Sequence, residues 1–518
     1  MSRTVSRRQV LTAAAAVPMT QFVGSAPAKA MTTPSTHRAA TTNPADLTIL
    51  DLLPLLRSRK ISAREVVTAC IDRVEQLDPT IQAFKRRTFD LALAGATGVD
   101  NARARKRPVG PLAGVPLGLK DMIFTKGIPT TGSSQVMADF VPDVDATVWT
   151  RLRSAGMLLV GKLNSTEFAY GTNSPPTLNP WDTQRGPGGS SGGSGAALAA
   201  RMLPAALGGD TGGSIIVPAA MSGVAGLKAT YGRVSRHGGF SLAWSLDHVG
   251  PMARRIADCA LLLQVMAGPD PADPTSLAAP VPAYPTAPRG LRHVRVGLPE
   301  RFFWDDIDEG VAAVCRDGVQ RLRELGATVI EVPVPTSLDA VLAPGPNPYG
   351  ALVVGGMDTI LKIVLPEATS FHRRLKAERA HLYSPEVLSV LELGETVTAA
   401  DYLDAQRLRS VWVRQWRELF DEHQLDAVAT PAVPTGPTFQ TPSQSFVFGP
   451  SFRLTKAFNL NGFPSVSVPV GLDGNGHPVG LQLAAGPLQE PRLLSLAITL
   501  DEDIRFFDQK PAIVDGAA

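Results

Sequence analysis

The alternation of short apolar segments with amphipathic helices is the feature that most constrains the fold of this chain. The clearest example is a strand at Val294 to Leu298, a helix from Gly310 to Leu325 and a second strand at Thr328 to Val332. Strand, helix and strand in this order are typical of a sheet with parallel neighbours covered by helices. We therefore predict an α/β fold, a single large domain with a mixed, twisted central β-sheet covered by helices.

Earlier segments support the same class. Val115 to Leu119 and Met157 to Val160 are apolar runs that predict two more strands. Ser62 and Glu65 form a capping-box pattern, which predicts the start of a helix whose apolar residues follow at helical spacing. The stretch from Leu338 to Asp426 is more helical and mixed, and it is expected to wall a substrate pocket.

Composition excludes several other classes of protein. Among 518 residues, 44% are hydrophobic and 19% are charged, which suffices for a large core and excludes a wholly disordered chain. A formal net charge of +3 excludes the strong basic field of a nucleic-acid-binding protein. Three widely spaced cysteines, Cys70, Cys259 and Cys315, form neither a disulfide framework nor a zinc site, so we predict that they are buried apolar residues.

The N-terminus has the pattern of an export signal. Arg7 and Arg8 form a twin-arginine pair, an apolar stretch follows from Val10 to Val17, and Ala28 to Ala30 offer small residues for cleavage. We predict a signal over residues 1–30, cleaved near Ala30, an exported protein, and a domain over residues 31–518. The alternative is a disordered, alanine-rich N-terminus. No other segment has the roughly 18 continuous apolar residues of a membrane span.

A first segment rich in glycine and serine runs from Gly186 to Gly195, with six glycines in ten residues. A flexible linker is one interpretation. However, a small-residue helix is predicted directly afterwards, from Ala196 to Met202, so the segment ends at a helix inside the domain. Gly188, Ser190 and Gly192 also match the G-x-S-x-G elbow, although the strand that such an elbow needs is missing.

A second such segment, from Gly208 to Ile215, is typical of an oxyanion hole. Consecutive backbone N–H groups around Gly212 and Gly213 can converge on one developing negative charge. Ser214 stands at the end of this loop, where a nucleophile is needed. The alternative is a tight turn into a helix.

A nucleophilic serine at neutral pH needs a base. Lys120 and Lys162 each lie at the end of a predicted apolar strand, where burial would lower the pKa and release a neutral amine. His237 and His248 are the nearest histidines in sequence. The residues alone leave this choice open.

Several motifs in the same order resemble the amidase signature family. The segments that carry the resemblance are Gly114–Asp121, Gly188–Ala200, Gly208–Tyr231, Gly223–Ser235, Ser245–Met252 and Asn461–Leu483. The likeness extends from about Thr48 to Ile498 and is weakest between about Pro335 and Phe420. It implies the amidase signature fold and hydrolysis of a carboxylic amide to an acid and ammonia or an amine, with no cofactor and no metal.

The resemblance also implies a catalytic triad. Lys120 resembles the base, Ser190 the bridging serine, which follows a cis peptide bond, and Ser214 the nucleophile that carries the acyl group. The implied oxyanion hole consists of the backbone N–H groups of Thr211, Gly212, Gly213 and Ser214.

The chain departs from the family at one informative position. Members usually carry arginine two residues after the nucleophile, where this chain has Ile216, so Asp210 lacks its common partner and must find others. A second family motif is matched by four residues that we interpret as structural, namely Lys162, Asn164, Glu167 and Phe168.

Other functions remain open from the sequence alone. The same mechanism could cleave carbamates or esters. The amidotransferase component of a tRNA-charging complex shares the signature, although it would need a cytosolic address and a partner subunit, and the export signal argues against this alternative. An exported binding protein without catalysis and a Ser-His-Asp hydrolase using Ser190 are further alternatives. The expected partners are a small amide and at most a second copy of the chain, with neither nucleic acid nor stable membrane insertion.

Overall fold

The computed structural model describes residues 43–342, 358–439 and 449–516. Within them, eleven strands form one mixed sheet. The strands are β1 (Phe84–Arg87), β2 (Pro116–Lys120), β3 (Leu158–Leu163), β4 (Ala205–Asp210), β5 (Ala225–Lys228), β6 (His248–Ala253), β7 (Arg295–Pro299), β8 (Thr328–Val332), β9 (Ala427–Pro431), β10 (Ser465–Leu472) and β11 (Pro478–Ala484). Their order in the sheet is β1-β3-β2-β4-β6-β5-β10-β11-β9-β7-β8. The predicted α/β class with a mixed central sheet is confirmed.

The helices of the described residues cover this sheet and extend beyond it. They are α1 (Ile49–Arg57), α2 (Ala63–Ile81), α3 (Phe89–Ala104), α4 (Thr147–Ser154), α5 (Gly192–Ala199), α6 (Ile216–Ser222), α7 (Ile256–Met266), α8 (Glu309–Glu324), α9 (Leu338–Leu342), α10 (Thr359–Arg379), α11 (Pro385–Glu395), α12 (Ala399–Glu422), α13 (Lys456–Leu460) and α14 (Glu490–Ile504). None of them is both long and apolar enough to cross a bilayer.

The structure contains the predicted strand–helix–strand unit as β7, α8 and β8, with β7 and β8 parallel and Val296 opposite Val329. The predicted capping box at the start of α2 is also present. Ser62 Oγ accepts a hydrogen bond from the Glu65 N–H (3.1 Å), and Glu65 Oε2 accepts one from the Ser62 N–H (2.7 Å). The three cysteines are buried, as expected.

The glycine-rich segment from Gly186 to Gly195 is not a linker. Helix α5 begins inside it, at Gly192 rather than at the predicted Ala196. A Cβ atom on Gly193 would lie 2.5 Å from the carbonyl oxygen of Asn164, closer than any side chain tolerates. Glycine is therefore used here because the first turn of α5 packs directly against another backbone segment, not because the chain is flexible.

The carboxyl ends of three parallel strands meet at one edge of the sheet. Strand β2 pairs in parallel with β3, placing Lys120 opposite Leu163, and with β4, placing Leu119 opposite Leu207. Parallel neighbours end on the same side, and open α/β sheets bind ligands at that edge. This register brings Lys120 next to the loop that follows β4.

The helices α10 to α12 form a second apolar core with the segments around them. The indoles of Trp412 and Trp416 are fully buried in this core. Ile360 and Leu361 are also buried in it, so they are core residues rather than pocket residues. Other apolar residues of this stretch that could line a pocket, such as Leu352 and Met357, lie outside the described residues. The predicted signal over residues 1–30 also lies outside them.

Candidate active site

Lys120 ends β2 in a buried position, with 1% of its surface exposed. Its Nζ donates a hydrogen bond to Ser190 Oγ (2.7 Å) and a longer one to the carbonyl oxygen of Gly209 (3.4 Å). Burial lowers the pKa of Lys120 to about 7, against the opposing pull of the Asp210 and Asp247 carboxylates. A neutral amine is therefore available near neutral pH, which is what a general base requires.

Ser190 lies in the loop that leads into α5, and the peptide bond from Gly189 to Ser190 is cis, as the resemblance implies. The next residue, Ser191, joins this loop to β4. Its hydroxyl donates to the Gly209 carbonyl oxygen (3.1 Å) and accepts from the Gly209 N–H (3.2 Å). Ser191 also donates its own N–H to the carbonyl oxygen of Ser214 (3.3 Å), so the two predicted loops lie against each other.

Ser214 follows strand β4 and precedes helix α6. It is 3% exposed. This strand–turn–helix arrangement is the one that presents a nucleophile at the carboxyl edge of a sheet. Ser190 has no strand directly before it, so the G-x-S-x-G match at Ser190 does not form such an elbow.

The loop from Thr211 to Ser214 differs in one respect from the implied oxyanion hole. The Gly213 N–H donates to Asp210 Oδ1 (2.8 Å) and is therefore already bonded. Among the described residues, the N–H groups of Thr211, Gly212 and Ser214 donate to no protein acceptor. Three of the four implied donors are thus free to meet a developing oxyanion, and the fourth shapes the loop.

Asp210 accepts hydrogen bonds from groups other than the arginine that this chain lacks. Its Oδ2 accepts from the Ile215 N–H (2.7 Å) and, at longer range, from the Ile216 N–H (3.4 Å). Its Oδ1 accepts from the side-chain amide of Asn459 (2.6 Å) as well as from Gly213. Ile216 itself is fully buried in the main apolar core. The carboxylate is therefore held by N–H groups instead of a guanidinium.

Two further side chains position the same loop, and sequence analysis assigned them no role. Thr211 Oγ1 donates to Asp247 Oδ1 (2.6 Å), and Thr455 Oγ1 donates to the Gly212 carbonyl oxygen (2.6 Å). Gly213 has a φ of 133°, and a Cβ there would lie 2.0 Å from Thr455 Oγ1. Asp247 falls inside the quoted motif from Ser245 to Met252, whereas nothing in the sequence indicated Thr455.

The other candidate bases have different partners. Lys162 is buried and donates to Thr130 Oγ1 (2.7 Å) and to the Ile123 carbonyl oxygen, and burial lowers its pKa to about 8. The Nδ1 atom of His248 lies 3.3 Å from the Asp210 carbonyl oxygen, and burial holds its pKa well below the usual range. His237 is exposed. In the described part of the chain, none of the three hydrogen-bonds to Ser190 or Ser214.

The remaining residues of the second family motif hold neighbouring loops. Asn164 donates its amide to the Ser174 carbonyl oxygen (3.1 Å) and to Thr177 Oγ1 (2.9 Å), and Glu167 accepts from Ser134 Oγ (2.5 Å). These contacts agree with the structural role that we expect for them.

A cavity of about 210 Å³ opens beside Lys120 and Thr211. Its wall is largely apolar and includes Met122, Phe240 and Trp244. The carboxyl groups of Asp210, which is buried, and Asp247, which is half-buried, also line it. Within the described ranges, no group of three or more histidine, cysteine or acidic residues is placed to hold a metal ion. The arrangement suits acyl transfer with a serine, a buried lysine and backbone donors.

Comparison with known proteins agrees with this chemistry. The family model described as Amidase matches residues 65–494. The chain belongs to the amidase family and is an enzyme that acts on amides. The A subunit of the glutamyl-tRNA(Gln) amidotransferase from Chloroflexus aggregans is 40% identical over 466 residues, covering 86% of this chain and 94% of that protein.

Two solved structures are similar over most of the chain. One comes from a vestigial protein complex described as revealing the origins of an s-triazine catabolic enzyme. It has a TM-score of 0.79 and 32% identity, and the match covers 88% of this chain and 98% of that one. The other is a bacterial aryl acylamidase of the amidase signature family, with a TM-score of 0.78 and 25% identity, covering 89% and 98%.

These relatives correct two expectations. Export after cleavage near Ala30 is contradicted, because the Chloroflexus relative is named for a reaction on glutamyl-tRNA, and charged tRNA is used in the cytoplasm. The twin-arginine pattern is therefore no guide to the location of this protein. The expectation of at most a homodimer also loses support, since the same relative is named as one subunit of a larger enzyme.

Proposed function

We propose that the chain cleaves a carboxylic amide through an acyl-enzyme on Ser214, with Ser190 as proton relay and Lys120 as base. The observation that carries the proposal is the buried contact of 2.7 Å between Lys120 Nζ and Ser190 Oγ. A lysine with a pKa of about 7 can both accept and return a proton near neutral pH.

The proposed reaction runs in two halves. The neutral amine of Lys120 takes the proton of Ser190, which takes that of Ser214, and the Ser214 oxygen attacks the amide carbon. The relay then protonates the leaving nitrogen as the C–N bond breaks, which leaves the acyl group on Ser214. Water, deprotonated along the same path, attacks the acyl-enzyme and releases the acid.

The backbone supplies the oxyanion stabilisation in this proposal. The free N–H groups of Thr211, Gly212 and Ser214 would donate to the tetrahedral oxyanion, while Gly213 keeps its bond to Asp210. Losing one such donor typically costs a factor of about 10² to 10³ in kcat. Asp210, Asp247 and Thr455 position the loop, and the two carboxylates also raise the pKa of Lys120.

Covalent labelling tests this proposal. An organophosphonate that labels reactive serines should modify Ser214, as located by mass spectrometry, and Ser214→Ala should abolish both labelling and turnover. Ser194→Ala is the matched control, because Ser194 is buried on α5 and its hydroxyl donates to the Leu207 carbonyl oxygen (3.0 Å), away from the triad. Modification of Ser190, or turnover in Ser214→Ala, would contradict the mechanism.

A second candidate is the amidotransferase reaction itself, in which this chain would release ammonia from an amide donor for use by the rest of a larger enzyme. The name of the 40%-identical relative favours it over a free-standing hydrolase. It predicts that glutamine is the best amide and that ammonia release rises when the other subunits of the host enzyme are added. Faster cleavage of simple apolar amides than of glutamine, unaffected by those subunits, would refute this candidate.

A further inference from the structure

A second cavity, here called the outer cleft, adjoins the cavity at Lys120 and has a volume of about 500 Å³. Helix α10, the connection from α11 to α12, the first turn of α12 and the loop before β6 line it. Its lining includes Ser241, Trp244, Glu367, Phe371 and Tyr402. Ser241 and Trp244 also line the inner cavity at Lys120, so the two spaces share a wall.

Two large aromatic side chains of this cleft are exposed. Trp244 is 56% exposed and Phe371 is 41% exposed, although most aromatic residues of the described chain are buried. Covering the exposed part of such a side chain removes apolar surface from water and so stabilises a complex. Both residues line the outer cleft, which suits an apolar, aromatic group of a ligand.

The one carboxylate of the outer cleft does not compete with this interpretation. Glu367 Oε2 accepts from the Ser245 N–H (3.0 Å), and its Oε1 accepts from the Tyr402 hydroxyl (2.9 Å). Burial raises its pKa, which further weakens it as an anion for a cationic ligand. Glu367 instead ties the loop before β6 to α10 and α12.

This tie connects the outer cleft to the reaction centre. The same loop carries Asp247, which accepts from Thr211 Oγ1 at the start of the oxyanion loop. The carbonyl oxygen of Trp244 is held as well, by the Tyr231 hydroxyl (2.8 Å) and by Arg236. The indole is therefore presented on a fixed backbone at the junction of the two cavities.

We propose that the outer cleft is a substrate subsite that takes an apolar, aromatic extension of the amide, with Trp244 and Phe371 as the residues that determine specificity. This proposal rests on the proposed amide cleavage at Ser214. A substrate no larger than glutamine would leave the outer cleft empty, whereas an arylalkyl amide would fill both spaces. The preferred substrates are thus larger than glutamine.

Three amides test the proposal in the full chain. They are acetamide, with no extension, N-benzylacetamide, with an aromatic group on the amine side, and 4-phenylbutanamide, with one on the acyl side. At least one extended amide should exceed acetamide in kcat/KM, and Trp244→Ala and Phe371→Ala should each lower that kcat/KM about tenfold or more. In Phe371→Ala, which alters only the outer cleft, the acetamide value should change less than twofold. Trp244→Phe should recover most of the loss seen in Trp244→Ala.

Leu403→Ala is the matched control, because Leu403 is 52% exposed on α12 and does not line the cleft. The extended amide that responds shows which side of the scissile bond enters the cleft. Equal losses for all three amides in Phe371→Ala, or no loss for either extended amide, would overturn the subsite. Retained hydrolysis in Ser214→Ala with the aromatic preference intact would instead overturn the proposed mechanism and leave the subsite standing.

Rates of labelling supply the same comparison if turnover is slow. Two phosphonates that differ only in a methyl or a phenylbutyl group should label Ser214 at different rates, and Trp244→Ala should remove the advantage of the phenylbutyl compound. Identical rates for the two compounds in the wild type would overturn the subsite. Absence of both labelling and hydrolysis would overturn both proposals together.

Discussion

Lowering the pH should switch off acyl transfer through protonation of Lys120. Burial lowers the pKa of this lysine from 10.5 to about 7, a difference of about 5 kcal/mol between its charged and neutral forms. At pH 7 about half of the molecules carry the neutral amine, compared with about one in three thousand for an unperturbed lysine. The base is therefore active above about pH 7, and its activity is lost as the pH falls through that value.

The assay is the pH dependence of Ser214 labelling by a phosphonate, which reports on the free enzyme. We expect the second-order rate constant to fall about tenfold per pH unit below pH 7 and to level off above it. Lys120→Ala should label slowly and show no inflection there. Lys162→Met is the control, because Lys162 is also buried with a lowered pKa but does not contact Ser190.

Removing a nearby negative charge tests the direction in which that charge shifts the pKa of Lys120. The Asp247 carboxylate raises the pKa of Lys120, so Asp247→Asn should move the inflection to lower pH. A flat profile between pH 6 and 9 in the wild type, or a shift to higher pH in Asp247→Asn, would refute the assignment of Lys120 as the base.

Three further predictions concern the same site. Ser190→Ala should slow the labelling of Ser214 by a factor on the order of 10²–10⁴, and an unchanged rate would remove its relay role. Ile216→Arg should lower the free energy of unfolding by about 3–5 kcal/mol, because it buries a charge among apolar side chains. Urea unfolding measures this change, and the control Ile216→Val should lower the free energy of unfolding by only about 1 kcal/mol. An unchanged unfolding midpoint in Ile216→Arg would mean that Asp210 accepts hydrogen bonds from the guanidinium. Asn459→Ala should lower the free energy of unfolding by about 1–3 kcal/mol, because Asp210 then loses a hydrogen-bond donor to its Oδ1. The same change should lower kcat more than it raises KM. Thermal melts and steady-state kinetics check this prediction, and full activity would contradict it.

Local patterns in the amino-acid sequence are enough to predict several elements. The capping box at Ser62 and Glu65 involves residues three apart, and the β7–α8–β8 unit depends on period and length within one short segment. Glycine normally weakens a helix, so the sequence predicts that α5 begins only after the glycines. In the structure the helix begins four residues earlier than predicted. There, close contact with the Asn164 backbone outweighs that preference.

By itself, the sequence determined the α/β class, the two loops rich in glycine and serine, and a short set of candidate bases. Only the tertiary structure decided which base meets which serine. Lys120 and Ser190 are 70 residues apart and Asp210 and Asn459 are 249 apart, so their contacts depend on strand register and loop packing. Lys162 is the penultimate residue of the neighbouring strand β3, yet its amine donates to Thr130 instead. Sequence spacing cannot show which of two such lysines meets the serine, because the partner of each amine depends on the position of its strand in the sheet.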